Sequence, residues 1–158
     1  MIKRALCLIC FAFIIGDFCK AQSNNFQTVA DAAVNTNGVQ LSISVTNNLC
    51  AVGSEMVIFV KILNLSTNII GMIEEGGYRD FVVTLTNWHG KTYQLTPGKS
   101  DGESTMRLMA YIGSGQSREW KIRIVIGNDV EPGDCKLKAS TKNVGFELVS
   151  NVVKFKIK

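Results

Sequence analysis

Residues 38–45 read GVQLSISV, and residues 56–63 read MVIFVKIL. In the first stretch Val39, Leu41, Ile43 and Val45 alternate with Gln40, Ser42 and Ser44. A period of two puts the apolar set on one side of an extended chain, which predicts a half-buried strand. The second stretch is apolar on both faces except at Lys61, as expected of a strand in the middle of a sheet. The same period recurs downstream. Phe81, Val83 and Leu85 alternate with Val82, Thr84 and Thr86; Asn87-Trp88-His89-Gly90 turns the chain, and 92–96 returns as the second arm of a hairpin. Trp120, Ile122, Ile124 and Ile126 alternate with Lys121, Arg123 and Val125. Cys135, Leu137 and Ala139 alternate with Lys136, Lys138 and Ser140, and Val153, Phe155 and Ile157 with Lys154, Lys156 and Lys158. Residues 105–112 read as a further strand, with a helical turn as the alternative. The only two prolines, Pro97 and Pro132, fall in expected loops. Seven or eight short strands separated by turn residues, without an amphipathic helix to cover a parallel sheet, predict an all-β antiparallel sandwich over 38–158.

The chain before this pattern reads differently. Residues 1–21, MIKRALCLICFAFIIGDFCKA, open with Lys3 and Arg4 and continue with 11 uncharged residues at 5–15. Small residues stand at Cys19 and Ala21, where a signal peptidase reads the chain. This is the pattern of a secretory signal peptide, and a bilayer span needs about 20 apolar residues. The expected mature protein starts near Gln22, lies outside the cytoplasm as a secreted or periplasmic protein, and has no membrane span after cleavage. Residues 22–37, rich in Gln, Asn, Ser and Thr, read as a flexible leader with at most a short helix at 29–34. Of 158 residues, 17 are Lys or Arg and 13 are Asp or Glu; removing 1–21 lowers the net charge from +4 to +2. So weak a positive balance gives no case for nucleic acid. Of five cysteines only Cys50 and Cys135 remain.

The ordered signals Val52-Gly53-Ser54-Glu55, Asn64-x-Ser66, 80–85 (DFVVTL), the Gly90-Lys91 turn, Trp120, 131–137 (EPGDCKL) and Ser150-Asn151-Val152-Val153 carry a resemblance. The chain over 45–158 resembles the immunoglobulin-like sandwich domains of bacterial secreted proteins. Its layout is similar to macroglobulin-type domains and to the bacterial intracellular proteinase-inhibitor domain. The resemblance implies an immunoglobulin-like antiparallel β-sandwich of seven or eight strands. It departs at Cys135, where such domains usually place a tyrosine whose hydroxyl reaches back to the backbone. An immunoglobulin-like strand order also implies that Cys50 and Cys135 lie at one end of the sandwich. A disulfide between them is then expected, with two buried free thiols as the alternative. The bridge would close a loop of about 85 residues and stabilise by roughly 4–5 kcal/mol.

Signals for chemistry are sparse. His89, the only histidine, sits in the hairpin turn, and one imidazole makes no zinc site without partners. No Gly-x-Ser-x-Gly elbow occurs, and Gly113-Ser114-Gly115 lacks the length and lysine of a phosphate loop. Glu74, Glu75 and Asp80 form one acidic loop and Asp101 and Glu103 another; neither has the spacing of a calcium loop, and both also read as solvated carboxylates. A glycosidase pair drawn from them has no separation fixed by sequence. No catalytic, cofactor-binding or metal-binding residue is assigned.

Recognition features remain. Residues 69–79 (IIGMIEEGGYR) read as a loop with exposed apolar side chains, available either for contact or for capping the core. Lys136, Lys138, Lys154, Lys156 and Lys158 form a ridge if the last two long strands pair. Such a ridge suits an anionic glycan or lipid surface, or simply keeps a sheet face soluble. Asn64-Leu65-Ser66 is a glycosylation sequon. The expectation is a non-enzymatic, exported binding or structural domain with a protein partner. The alternatives are a secreted protease inhibitor acting through 69–79, and a carbohydrate-binding module stacking sugars on Trp88, Tyr93 or Tyr111.

Overall fold

The computed structural model describes residues 37–74, 80–95 and 108–158. The expected signal peptide at 1–21, all of the leader but its last residue, the acidic residues Glu75, Asp101 and Glu103, and Pro97 lie outside the described residues. Among the described residues no helix is long and apolar enough to cross a membrane.

Among the described residues eleven strands form in chain order: β1 (Val39–Val45), β2 (Leu49–Cys50), β3 (Glu55–Asn64), β4 (Ile70–Glu74), β5 (Val82–Asn87), β6 (Thr92–Leu95), β7 (Leu108–Ile112), β8 (Ser117–Val125), β9 (Gly133–Thr141), β10 (Leu148–Val149) and β11 (Val153–Ile157). They make an all-β sandwich. One sheet has the order β1-β3-β8. The other runs β2-β11-β9-β5-β6, with β10 beside β9. Strands β4 and β7 pair as a two-stranded ribbon. Among the described residues the strand pairings are antiparallel except that of β2 with β11.

The period of two translates directly into the core. In β1, Val39, Leu41, Ile43 and Val45 are buried, and their register partners in β3 include Val60 for Ile43 and Ile58 for Val45. Trp120 and Ile122 of β8 continue those rows, opposite Val60 and Ile58, and Ile124 lies opposite Met56. Opposite them lie Val83 and Leu85 of β5, Leu137 and Ala139 of β9, and Val153, Phe155 and Ile157 of β11, in one hydrophobic cluster. The expected hairpin is β5–β6, with Leu85 opposite Tyr93 and Gly90 at φ +83° in the turn. Of the expected strand 105–112, the described part is β7.

Asn151 joins the two sheets at an edge. Its Nδ2 donates to Ile43 O (3.1 Å), and its Oδ1 accepts from Ile43 N (2.7 Å). A side-chain amide thus completes the backbone bonding that β1 lacks on its outer edge.

The expected Cys50–Cys135 bridge is not what the structure shows, because both thiols are free. The strand order supplies the reason. Ile157 of β11 pairs with Cys50 on one side, and Phe155 of β11 pairs with Cys135 on the other. The cysteines are therefore two strand spacings apart, about 10 Å, before a two-residue offset along the strand is added. A disulfide needs Cα atoms within about 7 Å. Cys50 Sγ instead contacts Ser54 Oγ at 3.0 Å, and Cys135 Sγ donates to Gly133 O at 3.7 Å. Alkylation of the unfolded chain without reductant should label the peptides carrying Cys50 and Cys135. Mass spectrometry of a Cys50–Cys135 cross-linked peptide would refute this strand order.

Candidate functional site

Segment 69–79 was expected to be a loop; its described part is mostly strand β4, paired with β7 from Ile70 opposite Ile112 to Glu74 opposite Leu108. The ribbon turns Met72, Ala110 and Ile112 inward, where all three are buried. The alternate residues Gly71, Ile73, Met109 and Tyr111 then face outward. Ile73 lies opposite Met109, and Gly71 opposite Tyr111. Tyr111 is 67% exposed, and Ile69, Ile73 and Met109 are also exposed. A Cβ at Gly71 would come within 3.2 Å of Met109 Cε and 3.7 Å of Tyr111 Cε1. The glycine therefore lets both side chains lie across the strand as one apolar platform.

Polar side chains lock that platform from behind. Glu74 accepts from Arg118 through both carboxylate oxygens, at 2.6 Å from Nε and 2.8 Å from Nη2, and from Trp120 Nε1 at 3.2 Å. Asn143 bonds Ile73 through both its backbone oxygen and its side-chain nitrogen, and it donates to Asp80 Oδ1 at 2.8 Å. At the other end Asn64 Nδ2 donates to Ile112 O at 2.9 Å. Glu74 and Asp80 belong to the acidic loop whose alternatives are a calcium site and solvated carboxylates. The structure instead places Glu74 in an ion pair and Asp80 against Asn143. Among the described residues no three His, Cys, Asp or Glu side chains converge on a common point.

The second surface lies on the outer face of the larger sheet. Lys154 pairs with Lys136 across β11 and β9, and Lys156 with Asp134. Lys136 and Lys138 alternate with buried Cys135 and Leu137 along β9. The expected ridge is therefore present. Asn48, Trp88, Lys136, Lys154 and Lys156 line an open depression of about 640 Å³ at its end. Trp88 is 60% exposed. Its indole rests on Gly133, where a Cβ would lie 2.6 Å from Trp88 Cδ1. Gly133 also has φ +140°, which only glycine adopts freely.

Other candidate residues have structural roles. His89, exposed at the hairpin tip, stacks on Trp88 and stands 3.8 Å from the exposed Glu131 that precedes β9. Burial first, and the charge of Asp134 second, push the Cys135 thiol up, the opposite of what a thiolate nucleophile requires. Of the three aromatic residues expected as a stacking platform, Tyr93 is only 9% exposed and donates to Asp129 O, whereas Trp88 and Tyr111 are exposed. Asn64 is fully buried with its amide engaged, so the sequon carries no glycan in the folded chain.

No family model matches the chain, and no curated protein matches it. Solved structures do. Spo0M, a sporulation control protein from Bacillus subtilis, aligns over 77% of this chain and 49% of its own, at 9% identity and a TM-score of 0.51. The alkylpurine DNA glycosylase AlkC of Pseudomonas fluorescens aligns over 77% of this chain and 30% of its own, at 11% identity and a TM-score of 0.48. A CARDB domain from Pyrococcus furiosus aligns over 85% of this chain and 99% of its own, at 10% identity and a TM-score of 0.42. The chain thus spans less than half the length of the first two. The likeness to Spo0M is one of fold, an all-β sandwich.

Proposed function

We propose that this chain is a non-catalytic, exported β-sandwich module that binds another protein through the outer face of the β4–β7 ribbon, in the cell envelope or outside the cell. One observation carries the reading. Ile69, Ile73, Met109 and Tyr111 are all exposed together on a ribbon held rigidly from behind. Large apolar side chains gathered on a preformed surface favour association, because burying them removes apolar area from water without an ordering cost in the backbone. Tyrosine is a frequent anchor of such contacts, and methionine adapts to a partner's shape. Arg118, 45% exposed and held by Glu74, adds a polar group beside the ribbon. The signal-peptide pattern of 1–21 supports export. The protease-inhibitor alternative would use the same ribbon, and no observation singles out a protease as the partner.

The test is capture of partners from the secreted and envelope fraction with the full mature chain, followed by affinity measurement on the purified pair. Tyr111→Ala and Met109→Ala should each weaken binding tenfold or more, about 1.4 kcal/mol, with the melting temperature unchanged. A captured partner that binds both variants as tightly as the wild type would remove the ribbon from the contact.

A further inference from the structure

We propose that the outer face of β9 and β11, with Trp88 at its end, binds an acidic polysaccharide, a sugar chain bearing carboxylate or sulfate groups. This site is separate from the β4–β7 ribbon and does not depend on it. Four lysines, Lys136, Lys138, Lys154 and Lys156, are exposed on these two strands, against one acid, Asp134. Among the described residues none of the four ammonium groups stands in an ion pair. Lys136 and Lys154 are direct cross-strand partners. Like charges placed so are unfavourable in a sheet, and a bound anion turns that repulsion into attraction.

The rest of the depression selects a sugar. Trp88 presents an exposed indole beside Lys136, Lys154 and Lys156, and Gly133 leaves the space that lets the ring lie against β9. The part of the indole that neither His89 nor Gly133 covers packs on the C–H groups of a pyranose while the lysines meet its anionic groups. Asn48 and Asp134 also line the depression, offering an amide and a carboxylate to hydroxyl groups. A deoxynucleotide backbone, unlike a sugar chain, has no free hydroxyl within the chain to give Asp134. The volume of about 640 Å³ lies within the roughly 300–1,000 Å³ range of ligand sites.

Affinity electrophoresis and calorimetry of the full mature chain test this, using polygalacturonate and heparin as acidic chains, dextran as a neutral one, oligothymidylate, and vesicles containing anionic lipid. At roughly 50 mM salt, polygalacturonate or heparin should bind while dextran does not, and added salt should weaken the complex. Lys136→Gln with Lys154→Gln should reduce affinity at least tenfold and flatten the salt dependence. Trp88→Ala should reduce it about tenfold without flattening it, and Trp88→Phe should restore most of the loss. Equal or tighter binding to oligothymidylate or the vesicles, equal binding to dextran, or wild-type affinity in the double lysine variant would overturn the proposal. The lysine pair is exposed, so its test stands even if Trp88→Ala destabilises the hairpin tip.

Discussion

Asn64→Leu should lower the unfolding free energy by about 3 kcal/mol, because leucine fills much of the space and answers none of the bonds. Asn64 closes β3 and is fully buried. Its Nδ2 donates to Asn68 O at 2.7 Å and Ile112 O at 2.9 Å; its Oδ1 accepts from Ser66 N at 3.0 Å and Ser66 Oγ at 2.6 Å. Asn68 and Ser66 lie toward solvent, so water can replace part of what they lose. Ile112 O cannot recover in this way, and a buried polar group left unpaired costs about 1–3 kcal/mol. Asn64→Asp should be worse at neutral pH. It keeps the two bonds from Ser66 but turns a carboxylate toward two carbonyl oxygens. Burial and those oxygens raise its pKa in the folded state above its unfolded value, so the folded state binds the extra proton. The penalty is then absent below the unfolded pKa and grows as pH rises toward the folded one. Urea unfolding should therefore show the Asp variant regaining stability relative to the Leu variant as pH falls through the carboxylate range. Identical pH profiles, or a loss under 1 kcal/mol in both, would mean that Asn64 does not anchor β7 as described. Hydrogen exchange of the β7 amides should rise in both variants, which links this buried amide to the ribbon proposed for partner contact.

The roles of Asn64 show where sequence reading stops. Asn64-Leu65-Ser66 is both a sequon and a local turn in which Ser66 bonds back to the asparagine, and only burial separates the two. Strands β1, β8, β9 and β11 were legible because each keeps a period of two, with apolar side chains inward and mainly polar or charged ones outward. Strand β4 was hidden because Ile69, Ile70, Met72 and Ile73 put apolar side chains on both faces around Gly71. No period survives in such a run, although that same two-sided character makes the ribbon a binding candidate. The lysine ridge followed from alternation once β9 and β11 were expected to pair. Its junction with Trp88 did not, because the glycine under the indole is Gly133, 45 positions further along the chain. The two cysteines failed for a similar reason. Strand β2 is two residues long, and nothing local signals that β11 inserts between it and β9. Pairings between distant segments depend on the whole core, and short edge strands carry too few residues to announce them.

Two isoleucines separate the core from the recognition surface. Ile58→Ala should cost about 4 kcal/mol, and Ile73→Ala under 1 kcal/mol, for the same chemical change. Ile58 is fully buried in β3, the middle strand of its sheet, with Val45 on one side and Ile122 on the other. The three methylene equivalents removed are worth about 0.8 kcal/mol each in transfer, and the cavity adds to that. Collapse around the gap is restricted, because both neighbouring strands are held by continuous registers of seven and nine residue pairs. A loss of 4 kcal/mol in a domain of about 120 residues lowers the melting temperature by roughly 12–20 °C. Ile73 faces outward and is 42% exposed, so its truncation removes little from the core. Its backbone bonds to Asn143 persist in the alanine variant. The denaturant slope should stay constant in both variants, since neither changes the surface exposed on unfolding. The binding readout should run the other way, with Ile73→Ala weakening partner capture and Ile58→Ala sparing it below its lowered melting point. An Ile58→Ala cost under 1 kcal/mol would contradict the packing of the two sheets, whereas an Ile73→Ala cost near 3 kcal/mol would mean that the outer face of the ribbon is buried in the isolated chain and is no free surface for a partner.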